Sequence, residues 1–210
     1  MIFKRTVGLR ICLTLALFVC WGMPLGQAQT AKEIAKARKD IAELQSKLRQ
    51  SNDRSNQGAK LLLQLTDLAD QYGRPFTLIQ AAKRFVVSNP NHVRHPEIML
   101  KLIDAQLVTA REKDAISTAR QFIVRHAGHP QIAEIHRLLA ALLEREGKLS
   151  AAAQELVLAY ESQQGHLADA ALAVQYYRRE NSHRSSAEAA RLAIRFLAED
   201  ADIATKTEAA

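Results

Sequence analysis

Four arginines recur along the chain at close to regular intervals: Arg74, Arg111, Arg145 and Arg179, spaced 37, 34 and 34 residues apart. A guanidinium stays charged at every accessible pH, and its planar fork of donors meets a carboxylate through two parallel hydrogen bonds. Guanidiniums held in register, with Arg137 and Arg178 close by in sequence, form a row that grips acidic side chains on a partner. Each of the four also falls where a helix is expected to end, and a cation there complements the helix dipole by ~0.3–1 kcal/mol. The two roles are compatible.

The histidines form a second pattern. His92-x-x-His95 and His126-x-x-His129 stand in corresponding places, and His136 follows one or two turns later. Imidazoles at this spacing bind zinc or copper when further ligands converge on them. Here no cysteine is near, and only Glu97 and Glu134 supply acids. The reading is therefore polar loop residues near helix starts, with no metal and no cofactor. Signatures of catalysis are missing as well: the chain has no Gly-rich phosphate loop, no Gly-x-Ser-x-Gly elbow and no His-Glu-x-x-His helix. Carboxylates mostly lie beside bases, as on solvated helix faces. A non-enzymatic protein is expected.

Helical spacing dominates what must position these groups. Strand signals are confined to the pair Val86-Val87, whereas Gly73, Pro75, Pro90, Pro96, Gly128, Pro130, Gly147 and Gly165 punctuate periodic apolar stretches. Helices are predicted near 31–50, 59–73, 75–88, 96–110, 112–126, 131–146, 149–163, 167–180 and 184–199. The later eight pair up and repeat. Ala82-x-x-Phe85, Ala119-x-x-Phe122, Ala153-x-x-Leu156 and Ala193-x-x-Phe196 place their large residues 37, 34 and 40 apart. One unit spans 133–166, with Leu139, Ala140 and Leu143, a turn at Gly147, then Ala152, Leu156 and Ala159. Another spans 62–95, with Leu65, Leu68, Ala69 and Tyr72, then Ala81 and Phe85. Small residues let two helices approach, and large ones fill the gap between successive pairs.

This pattern resembles the tetratricopeptide family over roughly residues 60–200. The resemblance implies an all-α fold, an α–α superhelix of about four helix pairs whose first helices line a concave inner surface. Gln106 and Thr109 depart from it, standing where a small and a large apolar residue are usual, and the last unit needs extra residues around Asn181 to His183. In such stacks each pair contacts only its neighbours.

The start of the chain reads as an address. Lys4, Arg5 and Arg10 precede an apolar stretch, Pro24 breaks it, and Gly26-Gln27-Ala28 supplies a small-x-small cleavage pattern. The run from Ile11 to Met23 is short of the ~20 residues that span a bilayer. Cleavage after Ala28 removes Cys12, Cys20 and Trp21, leaving a chain with no disulfide and no thiol chemistry, periplasmic or secreted. The formal charge falls from +7 to +4 for residues 29–210. So mild a balance, with eight aromatics left, argues against nucleic acid as a partner. Residues 29–58 follow as a helix and a polar hinge. Ile34, Ala37, Ile41, Leu44 and Leu48 have heptad spacing, read either as a short coiled coil that oligomerises the chain or as a cap on the first repeat. Residues 59–200 form the repeat domain, and 201–210 a disordered tail. The layout is similar to that of envelope cell-division-coordinator proteins.

Together these readings describe an interaction scaffold of the bacterial cell envelope that binds a peptide or protein segment, acidic in character, on its concave face. Arg74, Arg111, Arg137, Arg145, Arg178 and Arg179 are the candidate partner-binding residues. Two alternatives stand beside it: a structural homo-oligomer assembled through residues 31–50, and a helical accessory domain of an envelope enzyme complex.

Overall fold

The computed structural model describes residues 31–162 and 166–180, together with Ala187, Arg191, Leu192 and Arg195. The signal segment 1–28, the tail 201–210 and most of the expected helix 184–199 lie outside the described residues. Eight helices occur among those described: α1 (Ala31–Arg49), α2 (Asn56–Gln71), α3 (Pro75–Ser88), α4 (His95–Val108), α5 (Glu112–Arg125), α6 (Ile132–Arg145), α7 (Leu149–Glu161) and α8 (Leu167–Glu180). The main contacts run between consecutive helices, so the chain is a stack of hairpins, α2/α3, α4/α5 and α6/α7, closed at one end by α1 and continued by α8. The fold is all-α and built from helix pairs, as the periodicity predicts.

Each hairpin turns in the same way. Gly73, Ala110 and Gly147 adopt left-handed backbone, with φ of 57°, 56° and 76°. The amide of the following residue then reaches back to the end of the first helix: Arg74 N donates to Ala69 O (2.7 Å), Arg111 N to Gln106 O (2.7 Å) and Lys148 N to Leu143 O (2.9 Å). These bonds satisfy carbonyls that the helix leaves open. The three turns are 37 residues apart, and so are the buried rows that face them: Leu78, Ala115 and Ala152; Ala82, Ala119 and Leu156; Phe85, Phe122 and Ala159.

The repeat is thus longer than the expected 34 over these three hairpins, and the expected alignment of the third is one turn out of register. Ala153-x-x-Leu156 mimics Ala119-x-x-Phe122, yet Leu156 occupies the place of Ala119. Small-x-x-large occurs twice in α7, three residues apart, which is close to one helical turn. Only from α6 to α8 does the spacing fall to 34, carrying Ile135, His136, Leu139, Leu142 and Leu143 onto Asp169, Ala170, Ala173, Tyr176 and Tyr177.

The heptad-spaced stripe of α1 is spent within the chain. Ala37 and Leu48 are buried, and Ile41 and Leu44 pack on the first apolar cluster with Leu62, Leu65 and Phe85. The helix is a cap. Polar residues 51–55 link it to α2, where the Ser55 hydroxyl accepts the Gly58 amide (2.9 Å). A Cβ at Gly58 would meet Asn52 O at 2.0 Å, so only glycine lets this loop cross the start of α2. Asp53 holds the loop down through Arg84 of α3 (2.6 Å), and its carbonyl accepts from Asn89 Nδ2 (3.0 Å).

Candidate partner-binding surface

The six candidate arginines occupy three kinds of place. Arg74 and Arg111 stand at the N-caps of α3 and α5, matched before α7 by Lys148. Arg145 is the last residue of α6, in the position of Gln71 and Val108, and Arg179 lies in the last turn of α8. The expected single row therefore resolves into two, offset by one helical turn. The alignment slipped for the same reason as the repeat length.

Their partners separate them further. Arg137 donates through Nε and Nη2 to Asp169 (2.9 and 2.9 Å), a buried carboxylate that also accepts the His166 amide (3.1 Å). The hydrogen bonds to Asp169 hold the Arg137 guanidinium above its ordinary pKa. That side chain bolts α6 to α8. Arg179 reaches Glu144 (3.3 Å) and lies over the Tyr176 ring (5.9 Å), whose hydroxyl donates to the same carboxylate. Arg145 meets Glu112 at 2.7 Å but is well exposed, so the pair adds little, ~0–1 kcal/mol. Among the described residues, Arg74 and Arg178 make no ion pair.

Arg111 reaches across to the preceding hairpin, its guanidinium 5.7 Å from the centroid of the Phe76 ring. Phe76 is 61% exposed. It sits just inside the start of α3, off the buried stripe of Leu78, Ile79, Ala81, Ala82 and Phe85. Beside Arg111 lies an open cavity of about 480 Å³ lined by Ala110, Arg111, Glu112, Lys113, Asp114 and Glu146. Each of its carboxylates already has a base: Glu112 meets Arg145 (2.7 Å), Asp114 meets Lys83 (2.9 Å) and Glu146 meets Lys148 (2.7 Å). The lysine hydrogen bonds hold Asp114 and Glu146 below the usual carboxylate range. Sequence reasoning passed over Phe76, although a phenylalanine out of phase with its helix's apolar stripe is a readable signal.

At the other end, the first helices carry acids. Asp67 of α2 accepts from Arg94 (2.9 Å) and Lys101 (3.0 Å) of α4, and Arg94 also donates to Glu97 (2.6 Å). These pairs tie α2 and α4 side by side and hold Asp67 and Glu97 below their ordinary values, chiefly through the Arg94 hydrogen bonds. A groove of about 470 Å³ between α1 and α2 exposes Asp40, Glu43 and Asp67 together.

The histidines hold the stack together. His92 Nδ1 accepts the Arg94 amide (3.1 Å) and its ring meets the edge of Phe85 (5.2 Å between centroids). One repeat later His129 Nδ1 accepts the Gln131 amide (3.2 Å), with its ring on Phe122 (5.2 Å). His95 is fully buried and lies 3.3 Å from Val86 O and 2.9 Å from His126 Nε2. His136 pairs with Glu155 at 2.7 Å. The expectation of polar loop residues thus holds for His129, whereas His95 and His136 belong to the interior. Among the described residues, no three His, Cys, Asp or Glu side chains are grouped to hold a metal ion.

No protein-family model matches the chain, and no curated protein matches it. Solved structures do. One titled "Crystal structure of MamA" is similar with a TM-score of 0.51 at 16% identity, covering 86% of this chain and 99% of the other. A second, "Crystal structure of MamA protein", gives a TM-score of 0.51 at 16% identity over 81% and 88%. A kinesin light chain variant with nearly identical TPR-like repeats, from Podosopora anserina, gives a TM-score of 0.50 at 14% identity over 96% and 97%. At these identities the likeness is one of fold: helix pairs stacked in the tetratricopeptide manner.

Proposed function

We propose that this chain is a non-enzymatic protein-interaction scaffold, exported through the segment 1–28 and working in the bacterial cell envelope, where it captures an acidic segment of another protein. The observation that carries this reading is the pairing of first helices. Asp67 with Arg94 and Lys101, and Asp169 with Arg137, lock neighbouring hairpins side by side, so the receptor surface exists before any partner arrives. Preformed surfaces lose little freedom on binding, which suits a fold shared with TPR-like repeats. The anchoring cations are Arg74, Arg111, Arg145, Arg178 and Arg179; Arg137 is committed to Asp169. Because the apolar stripe of α1 is covered by α2, assembly through that helix is the weaker reading.

The test is affinity capture from envelope extract with the wild-type protein and with a variant in which Arg74, Arg111, Arg145 and Arg179 are all glutamine. At equal helicity, the variant is expected to lose an acidic protein that the wild type retains. Identical retention by both proteins overturns the reading.

A further inference from the structure

We propose that the edge of the stack formed by the hairpin turns is the docking surface, and that it takes an acidic segment carrying an apolar side chain, which seats against Phe76 while its carboxylates meet Arg111, Arg74 and Lys113. This rests on the scaffold reading and adds the place and the class of partner. Three successive turns touch along this edge. Arg111 of the α4/α5 turn covers Phe76 of α3, Arg145 at the end of α6 reaches Glu112 at the start of α5, and Glu146 of the α6/α7 turn joins Arg111 and Lys113 around one cavity. The edge is therefore one continuous strip.

Its chemistry is specific. The carboxylates on the strip are answered by Arg145, Lys83 and Lys148, whereas Arg74, Arg111 and Lys113 carry no ion pair among the described residues. What the strip offers to a partner is thus uncompensated positive charge. Phe76, 61% exposed, supplies an apolar anchor, and Val108, 65% exposed, ends α4 just before the same turn as Arg111. An aromatic ring beside an arginine is the residue pair most enriched among side chains that dominate interfaces. Covering the Phe76–Arg111 pair with a partner also strengthens it, because a desolvated cation is held more tightly to a ring.

The test uses the purified protein and a short fluorescein-labelled peptide in which glutamates flank one leucine and one phenylalanine, read by anisotropy. Phe76→Ala and Arg111→Gln are each expected to weaken binding about tenfold or more, as is replacing every glutamate of the peptide by glutamine. Val124→Ser, at an exposed valine near the far end of α5, leaves affinity unchanged. Circular dichroism of both variants should match the wild type, since neither side chain is part of the core. Peptide bound equally by wild type, Phe76→Ala and Arg111→Gln overturns the docking edge while leaving the scaffold reading intact. Retention on phosphatidylglycerol vesicles without peptide binding assigns the strip to a membrane surface and overturns the proposal. Failure to bind either probe overturns it too, and capture from extract then judges the scaffold reading separately.

Discussion

His95 and His126 share one hydrogen bond in the interior of the stack, Nδ1 to Nε2 at 2.9 Å. Because a carbonyl only accepts, His95 Nε2 must carry the proton that faces Val86 O. Its Nδ1 is then an acceptor, and His126 donates from Nε2. The arrangement fixes both tautomers and joins α3, α4 and α5. It has room for one further proton, on His126 Nδ1; a second would set two donors against each other.

That relationship makes stability depend on pH. Burial lowers the pKa of His95 and of His126 from the ordinary 6.5, and the charged groups facing them, Arg125, His92 and His129, push the same way. Folding therefore favours the neutral rings. Above about pH 6.5 this stabilisation is fully present; as pH falls through that value the unfolded chain takes up protons that the folded one refuses. The thermal midpoint should drop between pH 7 and pH 5. His95→Ile, which copies Ile132 one repeat later, should flatten the dependence. An equal slope in wild type and variant contradicts this account.

Gln106 is a second interior liability. It is fully buried, and neither its side-chain nitrogen nor its oxygen has a hydrogen-bond partner. Ala69 and Leu143 hold the same place in the neighbouring hairpins. Gln106→Leu should stabilise the protein by roughly 1–3 kcal/mol, the cost of an unsatisfied buried amide, read as a higher midpoint in urea. A lower midpoint contradicts the assignment.

Ala110 stands at φ 56° where its two counterparts are glycine. Left-handed backbone costs a residue with a Cβ about 1–2 kcal/mol, part of which returns as chain entropy when glycine replaces it. Ala110→Gly should therefore raise stability by roughly 0.5–1 kcal/mol. Ala110→Val, with a branched Cβ at the same φ, should lower it.

Phe122 tests the nearest-neighbour character of the stack. It is fully buried, belongs to the middle apolar cluster and meets the rings of His126 and His129. Phe122→Ala should cost about 3–5 kcal/mol and, in a stack where each pair supports only its neighbours, should uncouple the flanking hairpins. Hydrogen exchange would then show α2/α3 and α6/α7 opening independently, where the wild type opens them together.

Much of the fold was legible because its punctuation is local. Gly73, Gly147, Pro75 and Pro96 mark helix ends by backbone geometry alone, and the predicted helices fall within a few residues of those observed. Register was less legible, since Ala153-x-x-Leu156 and Leu156-x-x-Ala159 offer the same helix face one turn apart. The site was least legible where tertiary partners decide it. Arg137 looks like a free cation until Asp169, 32 residues on, closes over it. His95 and His126, 31 residues apart, look like loop residues until the hairpins bring them together. Phe76 is the exception, a surface aromatic whose misfit with its own helix was readable all along.

The most direct measurement places a photo-crosslinking phenylalanine analogue at Phe76 and, separately, at Val124, and irradiates cells that produce the protein. The account predicts crosslinks to an acidic protein from position 76, abolished by Arg111→Gln, and none from position 124. Crosslinks from 124 with none from 76 would contradict it.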